Sequence, residues 1–230
     1  FPDVPASEGR YLAFLGRTSP EKGLEEAIEI ARRSDLPLRI AAKIDPVDEQ
    51  YFDETIAPLL AEHDIEFVGE IGEDGKAEFL CGASALLFPI NWPEPFGLVM
   101  IEAAACGTPV LAFRSGSVPE VIEDGVSGVI VEDVEAAVRA LPKVVELPRE
   151  GVRDAVRRRF NVERMAADYV QLYRRLIAER KTGESGDDRR RQPTAPVGPG
   201  VADWEAASES KPLERTSTIG VEHASNRPTD

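Results

Sequence analysis

Between residues 10 and 182, short apolar runs alternate with amphipathic stretches, and that alternation leaves few architectures open. Tyr11-Leu12-Ala13-Phe14-Leu15, ending at Gly16, reads as a buried strand. Leu24, Ala27, Ile28 and Ala31 then recur at helical spacing up to Arg33. Leu38-Arg39-Ile40-Ala41-Ala42 predicts a second strand, followed by a helix over 51–63. Ile65-Glu66-Phe67-Val68 is a third strand that closes at Gly69. A short helix over 76–81 leads to the strand Ala85-Leu86-Leu87-Phe88. The helix over 96–106 ends at Gly107, a C-cap residue. Pro109-Val110-Leu111-Ala112-Phe113 and Gly128-Val129-Ile130-Val131 supply two more strands, and Ser117-Val118-Pro119-Glu120 between them has the form of a capping box opening a short helix. Strands that alternate with helices at this spacing predict an α/β fold, a doubly wound parallel sheet covered on both faces. From Val134 the pattern is purely helical, with breaks at Pro142 and Pro148. The last helix, over 162–180, carries Met165, Tyr169, Leu172, Tyr173 and Leu176 along one stripe, which needs a partner surface on this sheet or on a neighbouring domain.

The two ends depart from this pattern. Residues 1–9 begin Phe1-Pro2-Asp3-Val4-Pro5, with no initiator Met, and read as an interdomain linker. Residues 183–230 hold five prolines, five glycines and a single aromatic, Trp204, too little apolar surface to offset the entropy of ordering, and predict a disordered tail. Its Arg189-Arg190-Arg191 run is interleaved with Asp187 and Asp188 and reads as solvated linker. The tail is net −3 of a total −15, so the predicted domain at 10–182 is itself strongly acidic. That balance argues against nucleic acid and anionic lipid as partners. Arg153, Arg157, Arg158, Arg159, Arg174, Arg175, Arg180 and Lys181 make a locally basic end, read as solvated helix faces rather than a membrane contact. Cys81 and Cys106 are too few for a disulfide scaffold or a Cys-rich zinc site. Cys106 reads as a small buried residue ending its helix, and His63 as a helix-end residue. With His63 and His223 the only histidines, a His-based metal cluster or a Ser-His-Asp relay has little to draw on. No apolar run approaches the ~20 residues of a membrane span, and no leader is visible, so a cytoplasmic location is expected.

Two segments carry chemistry. Gly16-Arg17-Thr18-Ser19-Pro20-Glu21-Lys22-Gly23 follows the first strand, at the kind of strand end where open α/β sheets bind ligands. Arg17 offers a planar fork and Lys22 a compact charge, and two cations five residues apart in a turn can converge on one diphosphate. The segment is neither a P-loop nor a dinucleotide fingerprint, and Gly69-Glu70-Ile71-Gly72-Glu73-Asp74-Gly75 has the wrong spacing for the latter and reads as a turn. The second segment is Pro93-Glu94-Pro95-Phe96-Gly97-Leu98-Val99-Met100-Ile101-Glu102-Ala103. Helical rise separates Glu94 from Glu102 by roughly 10–12 Å. That is beyond the roughly 5–9.5 Å of a paired-carboxylate glycoside hydrolase. It suits both ends of an extended ligand. The amides around Phe96, Gly97 and Leu98 would face an anion at a helix start. Glu102 stands in an otherwise apolar helix and needs a partner, ligand hydroxyls or backbone. Trp92 either walls this site, stacks on a ring or stiffens the loop with Pro93 and Pro95.

Together these segments, with Gly107-Thr108-Pro109-Val110 and Gly116-Ser117-Val118-Pro119-Glu120-Val121-Ile122, make the chain resemble the carboxyl-terminal, nucleotide-sugar-binding half of a retaining family 4 glycosyltransferase of the GT-B fold, over residues 10–180. The resemblance implies that Arg17 and Lys22, after Gly16, neutralise a diphosphate leaving group in a small positive site within the acidic shell. It implies that Glu94 contacts donor-sugar hydroxyls and Glu102 the ribose. Phe96, Gly97 and Leu98 would bring amides to sugar and phosphates, and the backbone of Val68 and Gly69 would meet the base. It implies a hexosyl transfer with retention, a nucleotide sugar as donor, no metal and no cofactor. It also implies an amino-terminal acceptor-binding half that has no counterpart here, so that the chain alone would bind donor weakly and transfer little. A non-catalytic sugar-nucleotide-binding module and a GT-B-like sugar-nucleotide epimerase are the alternatives.

Overall fold

The computed structural model describes residues 11–61 and 64–183. The expected linker at 1–9, His63, and the expected tail from residue 184 lie outside the described residues. Six strands, β1 (Leu12–Arg17), β2 (Leu38–Lys43), β3 (Ile65–Gly69), β4 (Ala85–Phe88), β5 (Val110–Phe113) and β6 (Gly128–Val131), form one sheet in the order β3-β2-β1-β4-β5-β6. Every pairing is parallel, as the alternating pattern predicts.

The two-residue period of the strands divides the core between the faces. Leu12, Phe14, Leu38, Ile40, Leu87 and Leu111 pack on one side with Leu24, Ile28 and Ala31 of α1 (Leu24–Ser34). Ala137, Leu141 and Val144 belong to the same cluster. Ala13, Ala41, Leu86, Phe88, Val110 and Ala112 point the other way, toward Phe79 and Leu80 of α4 (Glu73–Cys81) and Met100 and Ala103 of α5 (Leu98–Ala105). β1 therefore hands the chain to a helix on one face, while its neighbour β4 hands it to a helix on the opposite face. The helices that follow the two strands leave toward opposite faces, which is the switch point where open α/β sheets place their strand-end crevice.

Several local expectations are corrected. The second helix is three short pieces: α2 (Glu49–Tyr51), a π-helical turn (Phe52–Ile56) and α3 (Ala57–Leu60). Pro58 has no N–H and its ring crowds the carbonyl of Glu54, so the ladder widens there. α4 begins at Glu73, so the end of the glycine-rich run is helix rather than turn. α5 begins at Leu98, not at residue 96, because Gly97 at its N-cap is left-handed (φ +74°). α6 (Val118–Val121) forms, yet the capping box does not: Ser117 is already helical and its hydroxyl caps nothing. Pro142 lies inside α7 (Val134–Val145) without ending it, because burial of Leu141 and Val144 against the sheet outweighs the lost hydrogen bond. Pro148 precedes α8 (Arg149–Arg159), and α9 (Val162–Gly183) runs on to the residue predicted to open the tail.

The basic end is also not simply solvated. Arg149 donates to the carbonyls of Ala83 (2.8 Å) and Cys81 (2.7 Å), Arg153 to that of Cys106 (3.0 Å), and Arg159 to that of Val121 (3.0 Å). These side chains satisfy carbonyls left over where α4, α5 and α6 end. No helix among the described residues is long and apolar enough to cross a membrane.

Candidate functional site

At the crevice three loops are locked together through their backbones. Gly23, after β1, is left-handed (φ +73°), and a Cβ there would lie 2.0 Å from the carbonyl oxygen of Pro89, after β4. Asn91 donates its N–H to the Glu21 carbonyl at 3.1 Å. Gly116, after β5, comes as close: a Cβ would lie 2.4 Å from the backbone N and O of Glu94. Ser117 N–H donates to the Glu94 carbonyl at 2.9 Å, and the Ser115 hydroxyl to the carbonyl of Trp92. Only residues without a Cβ allow this approach, which places Glu94 against the β1–α1 loop.

The side chains then pair across the crevice. Lys22 Nζ lies 2.7 Å from Glu94 Oε2. Trp92 Nε1–H donates to that same oxygen at 3.1 Å, and the Lys22 ammonium stands 5.1 Å from the centre of the Trp92 ring. Only 23% of the Lys22 side chain and 13% of that of Glu94 are exposed, so this pair is shielded from water unlike an ordinary surface bridge. Arg17 turns the other way. Its Nη2 lies 2.8 Å from Asp48 and its Nε 3.0 Å from Asp45, which Lys43 also meets at 3.0 Å. The hydrogen bond from Lys43 holds the Asp45 carboxyl below its ordinary range.

Glu102 has a partner that the sequence did not reveal. Lys76 Nζ lies 3.1 Å from Glu102 Oε1 and 2.8 Å from Glu73. The Lys76 ammonium is held above its ordinary range, by the bond to Glu73 first and the bond to Glu102 next. Around the crevice, four cations (Arg17, Lys22, Lys43, Lys76) thus face five carboxylates (Asp45, Asp48, Glu73, Glu94, Glu102). Arg17 and Lys22 do not converge as expected, because each is drawn to carboxylates of a different loop. Asp45, Asp48 and Lys76 were missed, since nothing in their own segments marks them; they matter by what the sheet order sets beside them.

A cavity of about 280 Å³ opens above β1 and β2, lined among others by Gly16, Lys43, Glu70, Lys76, Val99 and Glu102. It reaches roughly the lower bound of small-molecule pockets (~300 Å³). Gly16 and Glu102 meet there as expected. Gly69 is left-handed (φ +81°) just before the wall residues Glu70 and Ile71, while Val68 is exposed. Phe96 and Leu98 are not in this cavity. They line a second one of about 660 Å³, with Met165, Tyr169 and Leu172 of α9 on its other side. Of the two partner surfaces expected for the α9 stripe, the sheet does not cover it: Met165, Tyr169, Tyr173 and Leu176 are about half exposed. The first amides of α5, the ammonium of Lys22 and a carboxylate with one oxygen engaged can together hold a ligand that carries both anionic and hydroxyl groups.

A family model described as glycosyl transferases group 1 matches residues 2–161. The D-inositol 3-phosphate glycosyltransferase of Acidothermus cellulolyticus is 30% identical over 193 residues, which cover 76% of this chain and 43% of that protein. The crystal structure of AviGT4, a glycosyltransferase involved in avilamycin A biosynthesis, superposes with a TM-score of 0.64 at 29% identity, covering 75% of this chain and 53% of AviGT4. Anabaena HepE in complex with UDP superposes with a TM-score of 0.62 at 20% identity, over 72% of this chain and 49% of HepE, a likeness of fold. The chain spans less than half the length of the first curated relatives it matches, 46% and 43%.

Proposed function

The chain belongs to the glycosyl transferases of group 1, and from that premise we propose that it is the donor-binding half of an enzyme that moves a hexosyl group from a nucleoside-diphosphate sugar to an acceptor with retention of configuration. The observation that carries this reading is the pair of carboxylates, Glu94 and Glu102, set on either side of the start of α5 at the sheet's switch point, each held by a lysine through one oxygen.

In this reading the diphosphate is the leaving group, and its departure concentrates negative charge where Arg17 and Lys22 stand ready to meet it. Both must first exchange a carboxylate for a phosphate oxygen. Arg17 is accessible enough to swing, its side chain being 47% exposed. Lys22 needs only to slide along the Trp92 ring. Glu94 receives sugar hydroxyls on Oε1, opposite the oxygen that Lys22 and Trp92 occupy, and Glu102 receives the ribose on the oxygen that Lys76 leaves open. The backbone of Phe96, Gly97 and Leu98 serves sugar and phosphates, and that of Val68 and Gly69 the base. Protein cations carry the charge neutralisation, so the reading calls for neither a metal nor a cofactor.

The acceptor belongs to a second, amino-terminal half. The bare apolar face of α9 and the short span of this chain on its relatives both support that division. Isothermal titration with UDP, UDP-glucose, GDP and GDP-mannose, paired with a transfer assay, tests the reading. Weak binding of one nucleotide pair with little or no transfer is expected. Robust turnover by this chain alone would overturn the half-enzyme division, an epimerised product would replace transferase with epimerase, and binding of none of the four would overturn the donor site.

A further inference from the structure

The contacts at Glu94 go further than the donor-site reading on which they rest. A carboxylate turns easily about its last torsion, so its two oxygens exchange roles unless something fixes them. Here both donors land on Oε2, one an ammonium at 2.7 Å and the other an indole N–H at 3.1 Å. The indole is rigid and is a donor only. Its backbone is anchored at the carbonyl by two donors: the Trp92 carbonyl accepts from the Ser115 hydroxyl and from the N–H of Glu94 at 2.8 Å.

We infer that Trp92 is the positioning residue that lets this site select for the sugar of its donor, by aiming Glu94. When a diphosphate draws the Lys22 ammonium away, Glu94 loses its ionic partner at the moment the sugar arrives. The Trp92 N–H stays, holds Oε2 and keeps Oε1 turned toward the sugar hydroxyls. The ring under the ammonium, 5.1 Å from its centre, gives Lys22 a favourable surface throughout that exchange. The Trp92 N–H therefore acts on the sugar-dependent part of binding, while the ring, which both substitutions below keep aromatic, serves Lys22.

The test compares, for the full chain, the affinity ratio of UDP-glucose to UDP and of GDP-mannose to GDP by isothermal titration. Trp92→Phe keeps a ring for Lys22 and removes the donor. Trp92→3-benzothienylalanine is a closer isostere that replaces only the N–H by sulfur, so it keeps the fold if the phenylalanine variant does not. In both variants the bare diphosphate is expected to bind within about threefold of the wild type, while the preference for its sugar nucleotide falls at least fivefold. An unchanged preference would overturn the inference alone, and so would an equal weakening of diphosphate and sugar nucleotide. Wild-type protein that binds none of the four compounds, or that shows no preference for a sugar nucleotide, would overturn the donor-site reading and the inference with it.

Discussion

A carboxylate in an apolar helix is conspicuous in a sequence, but its partner is not. Glu102 stands out among Val99, Met100, Ile101 and Ala103, whereas Lys76 sits in an ordinary polar stretch 26 residues earlier and becomes its neighbour only when α4 and α5 pack side by side. The same holds for Arg17, whose partners Asp45 and Asp48 follow the adjacent strand. The residues proposed to carry the chemistry were legible because their spacing is unusual; those that compensate their charge were not, because contact across strands leaves no local mark. Truncating Glu102→Ala leaves Lys76 its bridge to the exposed Glu73, so no buried charge is stranded and folding stability changes little. Affinity for the matching nucleoside diphosphate is expected to weaken by about 1.5–3 kcal/mol, the value of a hydrogen bond to a charged group. Calorimetry decides it, and unchanged affinity in a folded variant removes the ribose role. Cys106 gives a second expectation. Burial first, and the neighbouring Cys81 next, push its thiol up to about 12. The native chain thus holds this proton more tightly than the unfolded one, whose thiol has a pKa of about 8.5. The stabilisation is complete below about pH 8.5 and is lost as pH rises toward about 12, so the urea midpoint should fall between pH 8 and pH 10.5. At pH 8 neither buried thiol should react with an alkylating reagent until urea unfolds the chain.

Elements were read well where a whole run decides them and poorly where one residue does. All six strands follow from their apolar runs, and the parallel sheet from their alternation with helices. The start of α5 turned on the φ of Gly97, the break-up of the second helix on Pro58, and the continuity of α7 on how deeply Leu141 and Val144 are buried. α8 shows the limit most clearly, since its arginines look alike in sequence and do different work. Arg149 donates to Ala83, Cys81 and the Thr108 hydroxyl, tying the end of α4 to the start of β5, and burial depresses its pKa without removing its charge. Arg149→Met strands these acceptors and should cost about 3 kcal/mol. With an m-value of about 2 kcal/mol/M the urea midpoint falls by about 1.5 M. Arg149→Lys should recover little, because an ammonium cannot reach divergent acceptors as a fork does. A midpoint within 0.3 M of the wild type, roughly the scatter of a surface substitution, would show that these carbonyls find other donors.

At the scale of the molecule the question is how an acidic chain would take up the anionic donor proposed for it. Composition supplies the total, −15, and a local positive site of Arg17 and Lys22 is the simplest exception to expect. The pairing removes that exception: four cations face five carboxylates around the crevice, so no positive field reaches outward to draw a diphosphate in. On the proposed reading, attraction would arise only once the anion displaced Glu94 and Asp48 at close range, where solvent ions screen little. Approach and capture therefore respond oppositely to what a basic phosphate-binding protein shows. Raising ionic strength from about 10 mM to about 150 mM shortens the Debye length from about 30 Å to about 8 Å and removes most of the repulsion between the acidic surface and the incoming nucleotide. The association rate of the matching nucleoside diphosphate, followed by stopped-flow tryptophan fluorescence, should rise over that range. An electrostatically steered site would show a falling rate instead. A fall would mean that Arg17 and Lys22 are released from their carboxylates before the ligand arrives, and that the free chain spends its time in an open arrangement of the crevice rather than in the paired one.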